Sequence, residues 1–92
     1  MSEIDPHAST DPYGTLATAR EFVVEMAGAV QAHARVVQVY AEAGYEPGLM
    51  LAARSCAAYL RAMDAGLAEV ERSRALIRLR RSTEAVGPGA GV

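Results

Sequence analysis

The four residues Tyr45-Glu46-Pro47-Gly48 decide the fold, because they form a turn-type string between two long stretches of helical pattern. On each side of this string, mostly apolar positions recur at alternating intervals of three and four residues. That spacing is typical of two helices that pack along a common stripe. The first set is Leu16, Ala19, Val23, Met26, Val30, His33, Val37 and Tyr40. The second set is Ala53, Cys56, Leu60, Met63, Leu67, Val70, Arg74 and Ile77.

The two sets mirror each other about the turn. When the second set is read backwards, each pair of residue numbers adds to 93, as Val23 and Val70 do. This symmetry predicts an all-α fold, a long antiparallel two-helix hairpin with its fold-back centred between Glu46 and Pro47. A break at Gly66 would give three helices instead, since glycine inside a helix costs about 1 kcal/mol relative to alanine. We favour continuity, because the spacing passes through Gly66 unshifted.

Two signals compete for the start of the first helix. Asp11 followed by Pro12 fits a cap with proline at the first helical position, whereas Thr18 with Glu21 fits a capping box. The first helix is expected to run to about residue 43, where Gly44 is a natural stop, and the second to about residue 85. The predicted organisation is therefore a flexible acidic arm over 1–12, a hairpin domain over 13–86 and a flexible tail over 87–92.

The composition bounds the chain to one domain. Ninety-two residues with a single cysteine exclude an internal disulfide, and that cysteine count favours a reducing, cytoplasmic location. The N-terminal residues are acidic and polar and lack a signal-peptide pattern, although export by a leaderless route stays open. No stretch approaches the ~20 apolar residues that a membrane span requires.

Apolar residues flank the packing stripe of the first helix on both sides. With Leu16 as heptad position a, Phe22 and Val36 lie on one flank and three alanines lie on the other. This surface is wider than one partner helix covers. We therefore expect a second copy of the chain, as a homodimer, or another helical protein to complete a four-helix bundle. The residues predicted to bind that partner on this helix are Phe22, Ala27, Ala34, Val36 and Ala41.

The segment from Arg72 to Arg81 holds five arginines and no acid. One interpretation is charge balance, because arginine near a helix C-terminus complements the helix dipole and the first half of the chain is acidic. The other is a small basic amphipathic end that contacts an acidic partner, a membrane surface or nucleic acid. The net charge of −2 disfavours nucleic acid. The predicted contact residues here are Arg72, Leu76, Arg78, Leu79, Arg80 and Arg81.

The sequence carries no catalytic or metal-binding motif that we can assign. His33 lies on the packing stripe and is the one weak candidate for holding a ligand or cofactor, against the simpler interpretation of a hydrogen-bonded core imidazole. Cys56 lies on the opposite stripe among apolar residues and is interpreted as a small buried side chain. The Glu-x-x-His spacing of carboxylate metal sites in bundles is absent, so no cofactor or metal is predicted.

Residues 15–85 resemble, in architecture, the helical hairpins of type VII secretion systems. The resemblance implies hairpins that pair side by side into four-helix bundles and have no enzymatic activity. The chain has Tyr45-Glu46-Pro47-Gly48 where those proteins have Trp-x-Gly. Tyr59 and Asp64 are also one residue too far apart for the Tyr-x-x-x-Asp/Glu export signal. With both motifs missing, the resemblance does not assign the chain to the family.

The sequence therefore favours a non-enzymatic helical hairpin that acts through protein–protein association, as an adaptor, an assembly component or a small regulator. Three alternatives stay open. The first is a bundle that holds a ligand or cofactor through His33. The second is an effector of the type VII secretion kind, and the third is a nucleic-acid-binding regulator that uses Arg72–Arg81.

Overall fold

A computed structural model describes residues 11–85 of the chain, which form two long helices and no strand. Helix α1 spans Pro12–Ala43 and helix α2 spans Glu46–Ala85. The two helices pack against each other, which confirms the predicted hairpin. At about 1.5 Å per residue, α2 is roughly 60 Å long. The predicted arm and tail lie outside the described residues, except that Asp11 and Pro12 belong to the start of α1.

The earlier of the two competing signals starts α1. Asp11 is the N-cap, and its side-chain Oδ1 accepts a hydrogen bond from the backbone N–H of Tyr13 at 3.1 Å. Pro12 follows at the first helical position, where its missing N–H leaves no bond unmade. The hydroxyl of Thr15 donates to the Asp11 carbonyl at 2.9 Å. Thr18 and Glu21 lie within the helix, so the capping box is not used.

The turn lies two residues earlier than predicted. Gly44 ends α1 in the left-handed conformation, with φ +71°, and the N–H of Tyr45 donates back to the carbonyl of Tyr40 at 3.0 Å. Glu46 and Pro47, between which the fold-back was expected, belong to the first turn of α2. Proline is well suited to this position, because the N–H groups in the first turn of a helix have no intrahelical partner and the one that proline lacks is not missed.

The packing stripe of α1 lies as predicted, whereas half of the α2 stripe is displaced by one residue. Every member of the α1 set is at least half-buried. In α2, Cys56, Met63, Val70 and Ile77 face α1 as expected. The prediction was wrong at the other four positions, where the predicted residue is exposed and the residue just before it in the sequence is buried or half-buried. Exposed residues are Ala53, Leu60, Leu67 and Arg74, and the residues that replace them are Ala52, Tyr59, Gly66 and Ser73.

Close approach of the helices explains this displacement. A Cβ at Gly66 would lie 2.9 Å from Cδ2 of Phe22 and 3.0 Å from Cγ2 of Val23, so only glycine admits α1 at this distance. Gly66 is therefore buried inside one continuous helix, and α2 does not break there. Seven residues earlier, the ring of Tyr59 packs against His33 with ring centroids 4.8 Å apart. Small side chains at the contact bring helix axes together.

Candidate partner interface

One groove at the open end of the hairpin gathers arginines from both helices. We call it the arginine groove, and its lining residues are Tyr13, Leu16, Arg20, Arg74, Ile77, Arg78 and Arg81. Beside these four arginines the groove has an apolar and aromatic lining of Tyr13, Leu16 and Ile77, and none of the acidic residues within 11–85 lines it. Such a lining suits carboxylates, because the planar guanidinium group can bind both oxygens of one carboxylate.

Two rows of residues run from the arginine groove toward the turn. Arg20 and Arg74 line the same groove, and residues seven apart lie above one another on helices packed at this spacing. The row of α1 therefore continues from Arg20 through three alanines, and the row of α2 continues from Arg74 through Leu67. Together they form a surface that we call the alanine–leucine face. Its members are Ala27, Ala34, Ala41, Ala53, Leu60 and Leu67.

The alanine–leucine face is open to solvent. Leu60 is 44% exposed and Leu67 is 46% exposed, and of the four alanines only Ala27 is half-buried. A shallow groove lined by both leucines, with Met63, Arg61 and Asp64, lies along it. The three alanines predicted to bind a partner therefore lie on the same side as two leucines that sequence reasoning had placed between the helices.

The other predicted contact residues of α1 lie on the opposite flank. Phe22 and Val36 occupy heptad position g and the alanines occupy position e, and these positions flank a packing stripe on opposite sides. Phe22 rests against Gly66 but keeps 38% of its surface exposed, and Val36 is 41% exposed. The predicted partner surface of α1 is thus divided between two sides of the hairpin.

The basic end also divides into separate surfaces. Arg78 and Arg81 line the arginine groove, whereas Leu76, Leu79 and Arg80 line a second groove with Pro12, Thr83 and Glu84. The guanidinium carbon of Arg80 lies 5.9 Å from the centre of the Tyr13 ring, within range of a cation–π contact. Arg72 instead forms an ion pair with Glu69 one turn away in α2. The residues of the predicted basic end therefore lie in two grooves, with Leu76, Leu79 and Arg80 together in the second.

Three residues of the arginine groove escaped sequence reasoning. Tyr13 lies at the boundary of the expected arm, Arg20 lies beside the stripe of α1 in the same heptad position as the three alanines and was given no role, and Arg74 was placed on the stripe itself. The signal that links them is the near-mirror numbering of Arg20 and Arg74 about the turn. Within residues 11–85, no ion pair joins α1 to α2, so Glu21 and Glu25 do not offset these charges by direct contact.

His33 has the environment of a structural imidazole. Its Nδ1 donates to the carbonyl of Ala29 at 2.8 Å, because a carbonyl oxygen only accepts, and its ring packs on Tyr59. The thiol of Cys56 is half-buried and lies 3.8 Å from the carbonyl of Val30. Within residues 11–85, no group of three or more His, Cys, Asp or Glu side chains could hold a metal ion. Neither helix is long and apolar enough to cross a membrane.

The geometry defines the class of this molecule as an antiparallel helical hairpin with an exposed face that ends in arginines. No protein-family model, curated protein or solved structure matches the chain. The assignment of function therefore depends on the surfaces of the hairpin.

Proposed function

We propose that this chain acts through protein–protein association, as an adaptor, an assembly component or a small regulator whose hairpin pairs with another helical hairpin in a four-helix bundle. One observation carries the proposal. Within residues 11–85, the buried hydrophobic core consists of Ala19, Ala52 and Ile77, whereas twelve large hydrophobic side chains are exposed.

The imbalance matters because two helices alone cover only one stripe of each other. Ordering a residue costs about 1.5 kcal/mol, and a chain of this size needs a substantial buried core or a second source of buried area. The single cysteine forms no internal disulfide. Association with a second hairpin supplies that area without any further element of the chain.

The alanine–leucine face is the surface best suited to that contact. Its alanines allow a neighbouring helix to approach closely, and its leucines supply apolar area to bury. The face extends from the turn to the arginine groove, so a helix lying along it meets apolar residues first and cations at the end.

The test is the native mass of the purified chain, measured by sedimentation equilibrium across a range of concentrations. We expect a dimer or, when the products of neighbouring genes are co-expressed, a complex of one hairpin with another. Leu60→Glu should abolish the complex, because it places a charge on the alanine–leucine face. Leu51→Glu is the matched control, because Leu51 is 66% exposed and lies outside both rows.

A well-folded monomer in both experiments, with helical content unchanged by dilution, would overturn the proposal. So would equal effects of Leu60→Glu and Leu51→Glu on a dimer, because the alanine–leucine face would then not be the contact.

A further inference from the structure

We propose that a second copy of this chain occupies the alanine–leucine face in antiparallel orientation, with the two-fold axis at Leu60, so that Arg74 of each copy faces Glu46 of the other. This inference rests on the proposed function and specifies its partner, orientation and register.

The row of α2 carries a gradient of chemistry. The row consists of every seventh residue of α2, counted from its first position, and all of its members are exposed. The row begins with an acid, continues through small and then large apolar side chains, and ends with two bases. Its members are Glu46, Ala53, Leu60, Leu67, Arg74 and Arg81.

From Glu46 to Arg74, this row is complementary to itself when it is reversed. About Leu60, reversal places Leu67 against Ala53 and Arg74 against Glu46. Large side chains then meet small ones and bases meet acids, on both halves of the contact. A two-fold axis requires such self-complementarity, because the same surface patch serves both copies. Within one copy, Glu46 and Arg74 are about 42 Å apart along α2, so they cannot neutralise each other.

Charge opposes the other symmetric arrangement. A two-fold axis parallel to the helices would lay α2 of one copy over α1 of the other and leave both open ends together. The arginine groove would then face its own copy, and eight guanidinium groups would meet with no acid from the described part of the chain in the lining. Like charges across an interface suppress that pairing. The antiparallel arrangement moves the two grooves to opposite ends of the dimer.

Charge exchange tests the predicted pairing. Glu46→Arg and Arg74→Glu should each weaken self-association about tenfold, because each change sets like charges against one another twice in the dimer. An equimolar mixture of the two variants should recover the wild-type affinity, since the mixed dimer has opposite charges at both contacts. Glu42→Arg and Arg35→Glu are matched controls on the outermost row of α1 and should leave the affinity unchanged.

Disulfide trapping tests the register independently. In a Cys56→Ser background, single cysteines are introduced as Ala53→Cys, Leu60→Cys and Leu67→Cys, and mild oxidation is followed on non-reducing gels. Only Leu60→Cys should give a covalent dimer. In the proposed dimer the two copies of position 67, like those of position 53, lie about 21 Å apart along the helices, far beyond disulfide reach.

The outcomes separate this inference from the proposed function. A dimer that cross-links at positions 53 or 67 as readily as at 60, or a mixture that associates no better than either charge variant alone, overturns the antiparallel register and leaves association standing. A folded monomer would overturn both the antiparallel dimer and the proposed function by association.

Discussion

The turn end and the open end of the hairpin are stabilised in different ways. At the turn, Gly44 and Tyr45 bond back to α1 through their backbone N–H groups, and the rings of Tyr40 and Tyr45 pack 5.5 Å apart. At the open end, Ile77 and Ser73 of α2 are buried, and Ile77 lines a groove with Tyr13 and Leu16, which are far away in sequence. Neighbouring residues therefore determine the turn, whereas burial at the open end depends on packing between the two helices.

The largest expected effect lies at the open end. Ile77→Ala should lower the free energy of unfolding by about 2–3 kcal/mol, because Ile77 is one of the few buried apolar side chains and its removal leaves a cavity. Urea unfolding followed by circular dichroism measures the loss, at one fixed protein concentration because association contributes to stability. A loss below about 0.5 kcal/mol would mean that the open end contributes little to folding.

A smaller effect is expected at the turn. Gly48→Ala should lower the free energy of unfolding by about 1–2 kcal/mol, because the new methyl group would lie 2.7–2.8 Å from ring atoms of Tyr45 and Tyr40. Gly28→Ala is the matched control. No atom lies within 4 Å of its new Cβ, so it should stabilise the helix by about 1 kcal/mol. Stabilisation by both changes would show that the tyrosine rings move aside freely.

Ser73, also at the open end, should have an effect of the opposite sign. Its side chain is 1% exposed, and its hydroxyl has no hydrogen-bond partner among residues 11–85. Ser73→Ala should therefore raise the free energy of unfolding by about 1 kcal/mol, because an unsatisfied buried hydroxyl is removed. Thermal unfolding measures the gain, and the exposed Ser82→Ala serves as the control. A loss of stability would show that the hydroxyl is bonded in solution.

The smallest effect is expected midway between the two ends. His33→Leu should change the free energy of unfolding by no more than about 0.5 kcal/mol and should leave the native mass unchanged. The carbonyl of Ala29, which loses the imidazole as a partner, lies inside a helix, and a leucine of similar volume can pack on Tyr59. Urea unfolding and sedimentation measure both quantities. A large loss of either would give His33 a role beyond packing.

The helices were predictable because their signals are local. Spacing and capping residues predicted Gly44 as the stop of α1, the extent of α2 to about residue 85 and the whole packing stripe of α1, whereas the start of α1 was left open between two signals. The centre of the turn was misplaced, because the mirror numbering of the two apolar sets puts it between Glu46 and Pro47, whereas α2 already begins at Glu46.

The packing stripe of α2 was not predictable in the same way. Leu60 and Leu67 keep the same alternating spacing as Tyr59 and Gly66 and are more hydrophobic, so sequence pattern favours the wrong pair. What decides between them is the distance between the helix backbones, which Gly66 allows to be short. The same error hid the alanine–leucine face, since its leucines were assigned to the interior.

The contact between Phe22 and Gly66 opposes sliding of α1 along α2. A regular seven-residue pattern tolerates slippage of one helix past the other by one repeat, because apolar positions coincide again. In this chain such a slip would bring the only phenylalanine against Tyr59 or Ser73, where a side chain occupies the space that Gly66 leaves empty. The Phe22–Gly66 contact therefore fixes the register of two helices whose apolar patterns otherwise repeat.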